Sequence, residues 1–249
     1  MHVDCCLGGF VLPFAKEAGF DIPNFDFSIP GVTSMSCDTH KYGYAVKGTS
    51  VVLFRNKALR AHMYWTYADW TGGLYCTPTM AGSRPGSVIS ACWASMMHLG
   101  KKGYMNAAVK IVQTREMIQK GIRSIPGIEV MGDPKAMVVA WNSSTLNVYR
   151  IADKMSHLGW CINSLQQPAS IHICVTLVHT KDGVVDKLLT DLRDVVEGMT
   201  RDLRDLVQAG GKSGKEEGGN APIYGMTASL PKGPVNQMLQ SYIDVVLEV

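Results

Sequence analysis

The run Ser34-Met35-Ser36-Cys37-Asp38-Thr39-His40-Lys41-Tyr42-Gly43-Tyr44 constrains this chain more than any other stretch. It opens as the end of a short strand and turns through a histidine-lysine pair. It then passes an aromatic, glycine-bearing turn and a second lysine, Lys47, before the apolar run Val51-Val52-Leu53-Phe54. The pattern predicts two buried strands joined by a tight turn with Lys41 inside it. A long cationic side chain is seldom buried without a partner. The expectation is that Lys41 is kept there as an amine able to form a Schiff base with an aldehyde cofactor.

Upstream, His2-Val3-Asp4-Cys5-Cys6-Leu7-Gly8-Gly9 reads as a strand with an acid at its C-terminal tip and a glycine turn after it. So short a strand needs a sheet to join; it reads either as a frayed edge strand or, more sharply, as part of a fragment whose earlier strands are missing. Residues 11–19 predict a short helix closed by Gly19, 20–31 a proline-bearing loop, and 57–63 another short helix. The aromatic stretch from Tyr64 to Gly73 fits no period and is expected to be an ordered loop. A helix capped by Ser87 or Ser90 should run to about Leu99, and a longer amphipathic one from Lys101 to Ile122. Ala107, Ala108, Ile111, Val112, Met117 and Ile118 form its apolar stripe.

Pro126-Gly127 breaks that pattern, and a domain boundary is expected there, giving 1–127 and 128–249. Beyond it, strands at 128–130, 136–141, 160–162 and 171–178 alternate with helices at 148–158 and 182–207, the order of a small α/β domain. His172 and Cys174 fall in the last of these strands and read as core residues. Residues 209–220 have linker composition. Their Gly210-Gly211-Lys212-Ser213 lacks the first glycine of a phosphate loop and follows a helix, so it is discounted. A final helix is expected over 234–248.

Composition removes several function classes. The net charge of +3 is too small to argue for nucleic acid or an anionic membrane. Seven cysteines, none in CxxC spacing, argue against a disulfide framework or a zinc site and for a reducing compartment. The N-terminus has no signal-peptide pattern, and no apolar run approaches the ~20 residues of a membrane-spanning helix.

Ser34, Met35, Lys41, Tyr42 and Gly43 reproduce the lysine signature of the pyridoxal-phosphate decarboxylase group. The longer run through Ala45-Val46-Lys47-Gly48 resembles the sphingosine-1-phosphate lyases within that group. So do Asp4-x-Cys6-Leu7-Gly8-Gly9, Ala81-Gly82-Ser83-Arg84-Pro85-Gly86, Ser170-Ile171-His172 and Ile223-Tyr224-Gly225-Met226. The resemblance implies an α/β enzyme of the aspartate-aminotransferase type (fold type I). Its large domain would be incomplete here and followed by a small C-terminal α/β domain. It also implies a homodimer and pyridoxal 5'-phosphate as cofactor.

By the same resemblance, Lys41 holds the cofactor aldehyde and then moves protons, with burial beside a cation helping it to lose its own. Asp4 would pair with the ring nitrogen, His40 contact the cofactor phosphate, and Lys47 and Arg84 serve the substrate phosphate. Tyr42 and Tyr44 would only pack. The implied reaction cleaves the C2–C3 bond of a phosphorylated sphingoid base to a fatty aldehyde and phosphoethanolamine. The alternatives are an amino-acid decarboxylase of the same cofactor class and a non-catalytic fragment that only dimerises. The full-length family sits on the endoplasmic reticulum membrane, facing the cytosol, through a segment lacking here, so this chain is expected to be soluble. Val46 stands where the family has proline, and Cys5 and Cys37 where it commonly has alanine.

Overall fold

A computed structural model of the chain describes residues 1–208, 224 and 230–247. The expected linker over 209–220 lies outside the described residues. The chain divides into two compact units, Met1–Val112 with Lys135–Met137, and Gln113–Pro134 with Val138–Val249. The division falls within a helix, upstream of the Gly127 boundary expected from the sequence.

In the first unit, β1 (His2–Asp4) pairs in parallel with β2 (Ser34–Cys37), which pairs antiparallel with β3 (Val51–Phe54). The register sets Asp4 opposite Ser36 and Cys37 opposite Val51. A single turn of 3-10 helix (Gly8–Phe10) and α1 (Leu12–Glu17) follow β1. Cys5, Val32 and Met35 form a small core with Val3, Phe25, Phe27 and Ile29 around it. The intervening loop is pinned from β3's end. Arg55 donates to the carbonyls of Val32 (2.6 Å), Phe27 (2.9 Å) and Ile29 (2.6 Å).

Two expectations fail here. The strand β3 is not buried: Val51, Val52 and Leu53 are 38%, 50% and 44% exposed. Apolar composition identified a strand, but among the described residues this one stays open to solvent. The stretch from Tyr64 is not loop throughout. After α2 (Lys57–Ala61), β4 (Trp65–Tyr67) pairs antiparallel with β5 (Tyr75–Thr77). Aromatic and β-branched residues favour such pairing, and Gly73, at φ +114°, serves the turn between them.

Helix α3 (Gly86–Arg123) carries the expected interruption, since Gly100 leaves helical geometry at φ 56°, ψ −178°. Its second part buries Tyr104, Ala107, Ala108, Ile111, Val112, Ile118 and Ile122, whereas Met117 is exposed.

The second unit has a four-stranded antiparallel sheet, in the order β6 (Glu129–Val130), β7 (Val138–Asn142), β9 (Ser170–Cys174), β8 (Asn163–Leu165). Helices α4 (Val148–His157) and α5 (Val184–Gln208) supply Ile151, Ala152, Met155, Val185, Leu188, Leu192 and Val196 to its core. Val139, Trp141, Ile171 and Ile173 come from one face of the sheet. A last helix, α6 (Lys232–Leu247), is exposed apart from the half-buried Val235.

The strand expected at 160–162 forms instead at 163–165. The chain before it closes α4 in a Schellman arrangement, with Trp160 N–H bonded to Met155 O and Gly159 N–H to Ser156 O. The Trp160 indole N–H also donates to Asp191. The strand expected to reach Val178 stops at Cys174, because Thr176 turns and donates its N–H to His179 Nδ1. His172 and Cys174 lie on the less buried face of β9.

Candidate active site

Strand β1 delivers Asp4 to the end of the small sheet. Its Oδ1 accepts the Cys6 N–H at 2.9 Å and the Ser36 hydroxyl at 2.7 Å. Ser36 stands opposite it because the strands are parallel and in register. These two bonds hold the Asp4 carboxyl down at about 2, so it is ionised at neutral pH. Both bonds fall on one oxygen, which leaves the other with its lone pairs.

The chain from Asp38 to Thr49 builds the other half. Tyr44 N–H bonds Lys41 O at 3.1 Å, Ala45 N–H bonds Thr39 O at 3.0 Å, and Tyr104 donates its hydroxyl to Gly43 O at 2.8 Å. Gly43 is required for contact, because a Cβ there would stand 2.3 Å from the Thr39 carbonyl oxygen. Tyr42 is buried, as packing would have it; Tyr44 is exposed and takes a left-handed φ of 56°.

Lys41 is not buried beside a cation. Its side chain is 35% exposed and its Nζ is 2.8 Å from Asp38 Oδ2. The Asp38 carboxylate, and after it the Cys6 sulfur, push the lysine above its ordinary value, the reverse of the expected depression. The cause is plain: an opposite charge in contact outweighs slight desolvation. Asp38 is in turn held ionised by Lys41 and by the Ser50 hydroxyl, which donates at 2.5 Å.

The two halves meet at Cys6. Its N–H is bonded to Asp4, its carbonyl accepts the Asp38 N–H at 3.3 Å, and its Sγ lies 3.2 Å from Lys41 Nζ. Asp4 and Lys41, 37 positions apart in sequence, are thus joined through one residue. His40 flanks them: Nδ1 is in hydrogen-bond contact with Thr49 O, and Nε2 is 3.9 Å from Asp38 Oδ2.

Lys47 and Arg84 are not drawn into this network. Lys47 is exposed, with no hydrogen bond or ion pair among the described residues, and Arg84 donates to Thr79 Oγ1 at 2.5 Å. Sequence reasoning missed Asp38 and Ser50 as partners and Cys6 as the bridge. Asp38 had one signal, its place three residues before Lys41. No described group of three or more His, Cys, Asp or Glu is arranged to hold a metal.

This donor set fits pyridoxal phosphate: a fixed anion for a ring nitrogen and a primary amine for an aldehyde, linked through a single residue.

Comparison with known proteins agrees with that chemistry. Residues 1–143 match the pyridoxal-dependent decarboxylase conserved domain. A sphingosine-1-phosphate lyase of Arabidopsis thaliana is 48% identical over 244 residues, covering 98% of this chain and 43% of the relative. The lyase of Saccharomyces cerevisiae is 38% identical, covering 100% and 41%. The solved sphingosine-1-phosphate lyase of Burkholderia pseudomallei superposes with a TM-score of 0.77 at 42% identity, covering 83% of this chain and 47% of that one. Glutamate decarboxylase of Lactobacillus brevis, at 19% identity and a TM-score of 0.64, shares the fold. The fold is therefore that of the fold type I pyridoxal-phosphate enzymes. The chain spans less than half the length of the curated relatives it matches.

Proposed function

The chain belongs to the pyridoxal-dependent decarboxylase family, and on that premise we propose that it serves a lyase acting on sphingosine 1-phosphate and related phosphorylated long-chain bases. The reaction cleaves the C2–C3 bond to give a fatty aldehyde and phosphoethanolamine. The observation that carries this reading is the junction at Cys6, which joins an ionised Asp4 to the amine of Lys41. The identity to lyases over nearly the whole chain supports the substrate class.

Pyridoxal phosphate, when bound, supplies an electron sink for the carbanion formed next to the substrate amine. Asp4 keeps a proton on the ring nitrogen, and its bonds from Cys6 and Ser36 keep it anionic while it does so. Lys41 would hold the cofactor through its aldehyde and would move protons at the substrate. To attack, Lys41 must lose its own proton, and the Asp38 contact opposes that. Productive binding therefore separates Lys41 from Asp38. Ser50 and His40 remain to hold Asp38 in place.

His40 contacts the cofactor phosphate in this reading, and Lys47 and Arg84 the substrate phosphate. The working enzyme is a homodimer, a reading supported by exposed Trp65, Tyr67, Trp70 and Trp93 in the first unit. It works at the cytosolic face of the endoplasmic reticulum membrane. Among the described residues, no helix is long and apolar enough to cross a membrane.

The test is a product assay on the protein supplied with pyridoxal phosphate and sphingosine 1-phosphate, with an amino-acid substrate run in parallel. Long-chain aldehyde and phosphoethanolamine in equal amounts are expected. Carbon dioxide from the amino acid, with no aldehyde, would assign it to the decarboxylases instead.

A further inference from the structure

We propose that Cys6 and Lys41 are an oxidative modification site, at which a peroxide drives a covalent sulfur–nitrogen cross-link between them. The two atoms stand 3.2 Å apart. Both are on fixed backbone. Cys6 is tied by its N–H to Asp4 and by its carbonyl to the Asp38 N–H, while the Lys41 turn is closed by its own hydrogen bonds. Joining the atoms calls for side-chain rotation and no backbone movement.

The neighbouring thiols are arranged otherwise. Cys6 lies in the turn after β1, with its N–H on Asp4 and its sulfur toward Lys41, whereas Cys5 faces the small core with Val32 and Met35. Cys37 lies with Cys5. A Cβ placed on Gly9 would be 2.4 Å from Cys37 Sγ and 3.6 Å from Cys5 Cβ. Burial pushes the Cys37 thiol up to about 11, while Cys6 is only half-buried and open to a small oxidant. The partner that geometry gives to Cys6 is an amine.

The chemistry balances with hydrogen peroxide as the oxidant. Cys6 sulfur attacks one peroxide oxygen, the O–O bond breaks, and the other oxygen leaves as water with the thiol proton. The Lys41 ammonium stands beside the sulfur, where it stabilises the departing anion. Lys41 then gives one proton to solvent, its lone pair attacks the sulfenic sulfur, and the S–O bond breaks. The leaving hydroxide takes a second proton from nitrogen. One thiol, one amine and one peroxide become one S–N bond and two waters.

The consequence for cofactor binding rests on the function proposed above; the cross-link itself does not. The purified chain is treated with limiting hydrogen peroxide, alkylated, digested with trypsin and analysed by mass spectrometry. The expected product joins residues 1–16 to residues 17–47 with Lys41 uncut. Its mass is two hydrogens below the sum of the free peptides, and dithiothreitol reverses it. It persists in the Cys5→Ser/Cys37→Ser variant and disappears in Cys6→Ser and in Lys41→Arg. Normal cleavage after Lys41, with a cysteine–cysteine link or with Cys6 carried only to its oxygen acids, would overturn the proposal. In a parallel sample, cross-linking lowers borohydride-trapped pyridoxal phosphate on Lys41, and dithiothreitol restores it. Untreated protein that never traps pyridoxal phosphate would count against the proposed function and leave the mass result standing.

Discussion

Trp141 and Trp93 hold the same side chain in opposite circumstances. Trp141, in the sheet of the second unit, is 1% exposed and packed among Val139, Ile171, Ile173 and the buried faces of α4 and α5. Trp93, near the start of α3 in the first unit, is 65% exposed. The second unit closes its own core with ordinary α/β packing. The first leaves apolar side chains uncovered along β3, β4, β5 and the start of α3, and it carries every charged group of the candidate site. Stability and chemistry are thus concentrated in different units, and each can be disturbed with little effect on the other.

The strongest disturbance of that division is Trp141→Ala. Removing a fully buried tryptophan should cost about 3–5 kcal/mol, read as a lower urea midpoint. A loss no larger than that of Trp93→Ala would erase the contrast between the units. Asp4→Asn should do the reverse. In the enzyme supplied with cofactor, kcat should fall on the order of 100-fold, the scale for losing one preorganised charge. The urea midpoint at neutral pH should fall by less than in Trp141→Ala, because only the bonds from Cys6 and Ser36 are weakened.

Asn147 accepts the N–H groups of Tyr149 and Arg150 and so caps α4. Asn147→Ala should lower stability by about 1 kcal/mol in a urea titration, with trapping at Lys41 unchanged. At the other extreme, Val52→Thr on the uncovered strand should stay within about 0.5 kcal/mol of the parent.

The pH dependence sharpens the same contrast within the first unit. The folded chain holds Asp4 below its unfolded value, so its contribution is present above the usual carboxylate range and is lost as pH falls toward about 2. Lys41 is raised, so its contribution is present below the ordinary lysine value and is lost as pH rises beyond it. Asp38→Asn should remove the alkaline loss, and salt should weaken it in the parent, because the pair is partly exposed. The measurement is the urea midpoint across pH at low and high salt.

Much of this was legible in the sequence. Periodicity and caps located α3, its break at Gly100, α4 and α5, because each helix carries an apolar stripe between plain stop signals. Asp4 and Lys41 were legible as candidates through their motifs, and the structure sets both against Cys6. What joins them was not. Cys6 reaches Lys41 only because β1 and β2 are parallel and in register, and neither fact is visible in a local pattern. The charge state of Lys41 was misread for a related reason. Two flanking apolar runs suggested burial, whereas β3 is uncovered and Asp38 turns back onto the lysine. The strand expected at 160–162 was displaced because Trp160 is used to close α4.

The central claim is that Lys41 is the amine that captures the cofactor aldehyde. Incubation with pyridoxal phosphate, borohydride reduction and peptide mapping test it directly. The account predicts stable pyridoxyl label concentrated on Lys41 and absent from the corresponding peptide of Lys41→Ala, with other lysines labelled only at background. Label spread evenly over exposed lysines such as Lys47 and Lys101, with none favoured at Lys41, would contradict it.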